Sequence, residues 1–313
     1  MNEPLVSVVI PLFNKQDYIE ATLKSVVNQT YSEIELIIID DSSTDKSYQL
    51  AQEYLQSHSE RFKDIKIRSR GNTGQAGARN DGISSAEGEY VAFLDADDVW
   101  HPEKIDKQVR YLMLNADKNL VFCNYFMLFE NLLKVKAVKL SPIQKKVDSW
   151  LLTVGYGGLL ESTGLARRAS LLEMGGFESN LQMCGGLDLA FRFKDKGTVG
   201  SVNDYLCGYR VTKGGWHNNK FDLIHSYDLL LEKRSLYREF ETKARKYLQI
   251  HLCIWSFRKS STSKNALALT LLFLRHPFLF TSYVLSTTNR ILFATIRGVM
   301  FHRDASLMRE MME

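Results

Sequence analysis

Two clusters of carboxylates each follow directly on an apolar, strand-like segment of the sequence. Their members are Asp40, Asp41, Asp95, Asp97 and Asp98. Carboxylates that are crowded together repel one another unless a cation lies among them, and hard divalent ions such as Mg2+ or Mn2+ take oxygen ligands. The pattern therefore predicts a Mn2+ or Mg2+ site of the kind that accompanies phosphate. The alternative is that these residues only form turns and helix caps.

Strand-like and helical patterns alternate through the first 130 residues, and these elements have to position the two clusters. Apolar, β-branched runs predict strands at 6–12, 34–39, 65–68, 90–94 and 120–126. Helical spacing predicts helices from Ile19, after a capping-box-like segment at 42–45, and from Pro102. Such alternation predicts a mostly parallel sheet covered by helices on both faces. Because ligands of these sheets bind beyond the carboxyl ends of the strands, we expect both clusters at one edge.

Composition places the chain among globular proteins, with 313 residues of which 45% are hydrophobic and 24% charged. Its four cysteines show no metal-ligand spacing and suit a reducing compartment. The N-terminus enters a strand-like run at once, without the basic start and cleavage site of a signal peptide. These features predict a cytoplasmic protein.

Two segments carry a resemblance to a known family: SVVIPLFNKQDYIEATLKSVVNQTYSEIELIIIDDSSTD and GNTGQAGARNDGISSAEGEYVAFLDADD. They resemble the family 2 inverting glycosyltransferases, densely from Ser7 to Trp100 and more thinly to Arg210. The resemblance implies a GT-A-type α/β fold, a mostly parallel sheet flanked by helices, that uses a nucleotide-diphosphate sugar, with UDP-sugar expected. A nucleotidyltransferase is disfavoured because PLFNKQDY, at the first strand, is not a Gly-rich, Lys-containing phosphate loop.

The family's D-x-D motif matches Asp95 and Asp97, and the resemblance implies that Asp97 is the direct ligand of the ion bridging the diphosphate. Asp95 would face the ribose or donor sugar and assist the metal. The nucleotide base would pack beside Pro11 and Phe13 and donate a hydrogen bond to Asp41, although Phe13 could instead be a core aromatic. The implied nucleotide-sugar-binding set is Pro11, Phe13, Asn14, Asp40, Asp41, Arg79, Asp95 and Ala96.

Arg79 resembles the arginine that approaches the diphosphate, and a guanidinium suits phosphate oxygens through bidentate contacts. An ordinary ion pair on a helix surface is the alternative for this side chain. Thr212 stands where family members often carry a histidine. His217, which follows in a Gly-rich stretch, is a candidate metal or phosphate contact in its place.

The general base is the point at which the chain departs from the family. A D-L-x-x-R pattern is present as Asp188, Leu189 and Arg192, but the acidic pair expected just before it reads Gly185-Gly186. Asp188 is the nearest remaining carboxylate and is the predicted catalytic base, with Glu178 as a more distant candidate. A first-turn residue favoured by the helix dipole is the alternative interpretation of Asp188.

These observations predict a GT-A domain at 1–240, with a nucleotide-sugar-binding half at 1–130 and an acceptor-binding half at 131–240. The predicted function is metal-dependent inverting transfer of a hexose to a glycan or lipid-linked acceptor in surface polysaccharide synthesis. A nucleotide-sugar-binding module with little or no activity is the competing hypothesis, which the glycine pair keeps open.

Charge separates the C-terminal segment 241–313 from the rest of the chain. The net charge is +4, yet ten basic residues and no acidic ones lie between Glu241 and Asp304, which leaves the remainder acidic. A nucleic-acid-binding protein is therefore disfavoured. Leu267, Leu271 and Leu274 fall at helical spacing in an apolar run too short to span a bilayer. A basic amphipathic helical tail fits an anionic membrane surface, and packing on the N-terminal domain or an oligomer contact fits equally.

If the tail binds membranes, removing the residues after Lys243 should reduce co-sedimentation with anionic vesicles. Each basic side chain near such a surface contributes about 1 kcal/mol, so raising the salt concentration should weaken binding of the intact chain as well. Equal sedimentation with neutral and anionic vesicles would instead favour the packing alternative.

Overall fold

The structure is a computed structural model that describes residues 3–129, 135–138, 160–181, 185–195 and 198–212, all within one compact unit of the chain. Its strands are β1 (Val6–Leu12), β2 (Ile34–Asp40), β3 (Asp64–Ser69), β4 (Tyr90–Phe93), β5 (Val99–Trp100), β6 (Leu120–Phe129), β7 (Val135–Val138), β8 (Gly164–Arg167) and β9 (Val199–Val211). Its α-helices are α1 (Ile19–Val27), α2 (Ser47–Gln56), α3 (Gly74–Ser85), α4 (Lys104–Leu114), α5 (Arg168–Glu173) and α6 (Gly185–Asp195). Two short 3-10 helices lie at Ser59–Arg61 and Glu161–Thr163.

The strands form one sheet in the order β3-β2-β1-β4-β8-β6-β9-β5, and β7 pairs with β6 beside this path. The first four strands in this order are parallel to one another, as predicted. The second half is mixed, because β8 is antiparallel to both β4 and β6 while β6 is parallel to β9. The parallel strands β1 to β4 and a mixed extension made of β5 to β9 therefore form a single α/β sheet.

Burial explains why the sequence specifies the centre of this sheet. Every residue of β1 and β2 is buried, which is the pattern of parallel strands covered on both faces. Helix α1 buries Ile19, Leu23 and Val26 at the spacing of one helical face. Each fully buried side chain of this kind contributes about 1.5–3 kcal/mol. None of the helices within the described residues combines the length and hydropathy needed to cross a bilayer.

The start of α2 differs from the prediction. The helix begins at Ser47 without a side-chain cap, so the capping box at 42–45 is wrong. Ser42 has a φ of 67° and donates its hydroxyl to the Arg70 carbonyl at 2.6 Å. Asp45 instead accepts a hydrogen bond from the Ser47 amide at 2.9 Å.

Helix α3 was not predicted, and glycine explains both why it was missed and why it packs where it does. An ideal Cβ at Gly82 would lie 2.2 Å from Val9 Cγ1, so only a glycine allows α3 to approach β1 this closely. Gly74 starts the helix with a φ of 81°, a backbone conformation that glycine adopts without strain. This close packing places Arg79, in the middle of α3, against the edge of the sheet.

A buried carboxylate network joins the amino-terminal ends of β1 and β2 to the segment just before β4. Glu35 accepts hydrogen bonds from the Ser7 hydroxyl, from the Glu87 amide at 2.6 Å and from the Gly88 amide at 2.9 Å. Burial by itself would raise the pKa of Glu35, but these donors and Lys66 outweigh it and lower that pKa. The ionised carboxylate is therefore the form that stabilises the fold.

The prediction is that Glu35→Gln lowers the free energy of unfolding by about 2 kcal/mol at neutral pH, because it removes a charged hydrogen-bond acceptor. A carboxyl whose pKa is lowered by folding stabilises above its unfolded-state pKa and loses that effect as the pH falls through the folded-state pKa. The difference between parent and variant should therefore shrink in acid. Urea unfolding across pH measures it, with exposed Glu53→Gln as control; a difference that stays constant at low pH would contradict the assignment.

Candidate functional site

Both carboxylate clusters lie at the carboxyl-end edge of the parallel strands, as expected. Leu12, the last residue of β1, is in register with Asp40, and its carbonyl accepts a hydrogen bond from the Asp41 amide at 2.8 Å. Strand β4 runs parallel to β1 and leads directly into the D-x-D segment. Side chains following β1 also reach that segment, because Lys15 contacts Asp97.

Each outward-facing carboxylate of the D-x-D segment already has a cationic partner. Lys15 Nζ lies 2.5 Å from Asp97 Oδ2, and Arg79 Nη2 pairs with Asp95 Oδ1. Burial by itself would lower the pKa of Arg79, but the carboxylates of Asp95 and Glu161 outweigh it and raise that pKa. Protein cations therefore offset part of the repulsion that the crowded acids suggested.

Asp98 differs from the other two acids because it points inward and is 0% exposed. Its carboxylate accepts hydrogen bonds from the Ser162 hydroxyl at 2.6 Å and the Arg210 amide at 2.9 Å. Burial, followed by the charges of Asp97 and Asp95, raises the pKa of Asp98 well above its ordinary value. Asp98 thus anchors the D-x-D segment and is not presented to a ligand.

The backbone of the D-x-D segment is held from several sides. The Thr22 hydroxyl lies 3.0 Å from the Ala96 carbonyl and 2.8 Å from the Asp98 carbonyl, while Arg210 Nε donates to the Asp97 carbonyl at 2.9 Å. The Ser162 hydroxyl accepts a hydrogen bond from the Asp95 amide at 3.0 Å. Ala96, which was predicted to bind the nucleotide sugar, is only 2% exposed.

The donor set fits a divalent ion that is shared with a phosphate group. Asp95 and Asp97 have side chains 22% and 16% exposed, and Mg2+ or Mn2+ is commonly held by one or two carboxylates plus substrate phosphates. Within the described residues, the only group of three possible metal ligands is Glu35, Asp64 and Glu87. That group surrounds Lys66 Nζ at 3.2, 3.5 and 2.7 Å, so it is an ion-pair cluster away from the D-x-D segment.

Asp40 and Asp41 shape the neighbouring loops. Asp41 accepts hydrogen bonds from the Thr73 amide at 2.9 Å and the Gly74 amide at 2.8 Å, at the start of α3. Asp40 accepts one from the Ser69 hydroxyl at 3.1 Å. Both carboxylates are buried. The contact of Asp41 with a nucleotide base stays a prediction.

The segment after β1 offers an accessible aromatic ring. Phe13 is 42% exposed, so the alternative that it is a core aromatic is wrong. Pro11 is buried within β1. Asn14 has a φ of 50°, and its Oδ1 accepts a hydrogen bond from the Thr44 amide at 2.8 Å. The ring is therefore presented beside the acidic edge by a turn whose shape is fixed.

Asp188, the predicted base, lies in the first turn of α6 with its side chain 7% exposed. It accepts a hydrogen bond from Arg192 Nε at 2.8 Å, and Arg192 also donates to the carbonyls of Met174 and Gly176 at 2.9 and 2.6 Å. This pair fastens α6 to the turn at 174–176. The catalytic role of Asp188 stays a prediction, and His217 lies outside the described residues.

Two residues that the sequence did not single out complete the site. Ser162 joins Asp95 to Asp98, as described above, and Glu161 beside it accepts a hydrogen bond from the Gly186 amide at 2.7 Å. The segment LLESTG has neither periodicity nor a metal-ligand spacing. No pattern in the sequence distinguishes these two residues from others of their type.

Known proteins resemble this chain in both sequence and fold. The profile of the family described as "Glycosyl transferase family 2" matches residues 7–152. An uncharacterized glycosyltransferase of Haemophilus influenzae is 35% identical over 50% of this chain and 59% of its own length. The putative teichuronic acid biosynthesis glycosyltransferase TuaG of Bacillus subtilis is 43% identical over 36% of this chain and 43% of its own length. The chain thus spans about half the length of these two relatives.

A further relative and two solved structures match over more of their length. The Escherichia coli glucosyltransferase WfaP is 30% identical over 71% of this chain and 76% of its own length. The mannosyltransferase PcManGT of Pyrobaculum calidifontis has a TM-score of 0.63 at 18% identity, over 99% of this chain and 86% of that one. TarS 1-349 of S. aureus has a TM-score of 0.60 at 15% identity, over 86% and 79%. The fold is of the GT-A type, and the chain belongs to glycosyltransferase family 2.

Proposed function

We propose that the chain transfers a hexose, with inversion and with a divalent metal, from a nucleoside-diphosphate sugar to a glycan or lipid-linked acceptor in surface polysaccharide synthesis. The observation that carries this proposal is the meeting of Asp95, Asp97 and Arg79 at the carboxyl-end edge of the sheet. A UDP-sugar is the proposed donor. WfaP is named for transfer from UDP-Glc to a GlcNAc-diphosphoundecaprenol, and TuaG for teichuronic acid biosynthesis.

The nucleotide would bind between the exposed ring of Phe13 and the carboxylate of Asp41. An aromatic face supports stacking of a base, and a carboxylate accepts a hydrogen bond from a uracil-type imide. Asn14 and Pro11 would hold this turn in shape, and Asp40 would support the loop beyond β2. The two Asp41 oxygens each accept one amide, which leaves further lone pairs for the base.

Arg79 is suited to the diphosphate because one of its donors is unused. Its Nε is buried and has no hydrogen-bond partner among the described residues, while Nη2 pairs with Asp95. A buried donor without a partner costs about 1–3 kcal/mol, and a phosphate oxygen would satisfy it. The cation would also offset negative charge on the departing diphosphate.

The proposed ion is Mn2+ or Mg2+, and PcManGT was solved with GDP-Man and Mn2+. When bound, it supplies positive charge to the leaving diphosphate. Asp97 and Asp95 would hold it, and Lys15 would have to release Asp97 Oδ2. Lys15 Nζ, once released from Asp97, would donate to a phosphate oxygen that accompanies the ion.

Three carboxylates are candidates for the general base. The sequence offers Asp188, which is paired with Arg192, and the more distant Glu178. Glu161 is the candidate from the geometry. The Gly185-Gly186 departure also keeps open a nucleotide-sugar-binding module without turnover. A location in the cytoplasm or on the inner membrane face through the tail remains a prediction.

The test measures nucleoside-diphosphate release and glycan formation separately, with UDP-Glc, UDP-GlcNAc or GDP-Man as donor and a GlcNAc-diphospholipid as acceptor. The parent chain should turn over repeatedly with one UDP-sugar and Mn2+, and chelation should stop it. Asp97→Ala should abolish Mn2+-dependent donor binding in calorimetry, because the direct ligand is lost, while exposed Asp117→Ala should not change it.

Three results would contradict the proposal in different ways. Donor binding without turnover would favour the binding module. Full activity in the presence of a chelator would show that the reaction does not depend on a metal ion. Unchanged Mn2+-dependent donor binding in Asp97→Ala would show that Asp97 is not the metal ligand.

A further inference from the structure

We propose that Glu161 is the general base of the transfer reaction, in the place of the acidic pair that Gly185 and Gly186 do not provide. This inference rests on the proposed function and deepens it by assigning the residue that receives the proton of the acceptor. Its basis is that the Glu161 carboxylate lies against the first turn of α6, where those two glycines stand.

The glycine positions and the Glu161 carboxylate share one space. Glu161 Oε1 accepts a hydrogen bond from the Gly186 amide at 2.7 Å, and an ideal Cβ at Gly185 would lie only 2.9 Å from the same oxygen. Real Cβ atoms essentially never come this close, so a side chain at position 185 would displace Glu161 from its present conformation. Gly185 has no positive φ, so its backbone does not itself require glycine. The same Cβ would lie 3.1 Å from Phe177 Cδ1, so the glycine leaves room for the carboxylate and for this ring.

The position of Glu161 is fixed relative to the donor-binding edge. Its neighbour Ser162 binds the Asp95 amide and the Asp98 carboxylate through one hydroxyl, and its carbonyl accepts a hydrogen bond from Trp100 Nε1 at 2.7 Å. The charge of Glu161 contributes to raising the pKa of Arg79, which pairs with Asp95. Glu161 therefore lies one residue beyond the contact that organises the D-x-D segment.

The carboxylate is also available to a substrate. Glu161 is half-buried, and among the described residues only the Gly186 amide donates a hydrogen bond to it, through Oε1. One oxygen is thus oriented by the helix terminus, where negative charge is favoured, and Oε2 remains for an incoming hydroxyl. Asp188 contrasts with this arrangement, since its side chain is 7% exposed and paired with Arg192.

The step balances without any further reactant. The acceptor oxygen forms a bond to the anomeric carbon and releases its proton to Glu161 Oε2. The bond from the anomeric carbon to the diphosphate oxygen breaks, and its electron pair leaves on the diphosphate. The products are the glycoside, the nucleoside diphosphate and a protonated Glu161, which returns its proton to solvent. Water in the place of the acceptor gives donor hydrolysis by the same route.

The test compares the intact parent chain with Glu161→Gln, with Glu161→Ala, and with Glu161→Ala combined with Gly185→Asp. UDP release from UDP-Glc or UDP-GlcNAc is measured with and without the GlcNAc-diphospholipid, together with donor affinity and Tm. Glu161→Gln should lower the rate at saturating donor by about 100-fold or more, since general-base catalysis contributes at least that factor. Donor affinity and Tm should stay within error of the parent. The double variant, which restores a carboxylate to the same space, should be at least about 10-fold faster than Glu161→Ala alone.

Asp188→Asn provides the comparison, and it should lower Tm and activity together by releasing Arg192. A Glu161→Gln variant that keeps the parent rate, or that loses Tm and donor affinity along with the rate, overturns the assignment. So does a double variant no faster than Glu161→Ala, or an Asp188→Asn variant that loses the rate at unchanged Tm while Glu161→Gln does not. A parent chain that releases no nucleoside diphosphate from any donor overturns the proposed function and this assignment with it.

Discussion

A buried carboxylate controls the arrangement of the site. Asp98 is withdrawn from water completely, and an ionisable group in that position is costly unless donors surround it. Its donors come from Ser162 and from the backbone of Arg210, so three distant parts of the chain must meet for the segment to fold. Because Asp98 turns inward, Asp95 and Asp97 are left facing the sheet edge. Asp95 and Asp97 are therefore available to a ligand because the hydrogen bonds to Asp98 hold that residue in the interior.

Lysine and arginine side chains of the protein already pair with the acids that an incoming metal ion would bind. Lys15 and Arg79 each pair with one acid of the D-x-D segment, so the edge without ligands already has compensating charge. A divalent ion at Asp97 would exchange one cation for another instead of neutralising a bare cluster. The Lys15 ammonium released in this exchange and the unused Nε of Arg79 would then meet the phosphate oxygens that accompany the ion. We therefore expect the metal ion and the diphosphate to bind cooperatively. The metal ion would take Asp97 from Lys15, and the diphosphate would pair with the ammonium that this leaves free.

The sequence predicts the part of this protein in which periodicity and burial coincide. β1 and β2 could be located because parallel strands buried on both faces are continuous apolar runs. Helix α3 could not, because its close contact with β1 requires Gly82, and glycines weaken a helical pattern. The acidic clusters could be found by counting carboxylates, but their partners could not. Whether an acid meets a metal ion, Lys15 or a serine hydroxyl depends on contacts between residues far apart in sequence.

The direction of one strand explains why Glu161 and Ser162 could not be predicted and why they are in the site. Strand β8 runs antiparallel to β4, with Ala92 opposite Leu165. Antiparallel pairing brings the start of one strand beside the end of its neighbour, so the residues just before β8 meet the segment that follows β4. In a parallel arrangement, the residues after Arg167 would occupy that place. Ligands of α/β sheets bind beyond the carboxyl ends of the parallel strands, yet an inserted antiparallel strand contributes residues to the same edge from its amino end. The chemistry at this edge is thus assembled from strand ends of both polarities, and a search restricted to residues that follow strands overlooks Glu161 and Ser162.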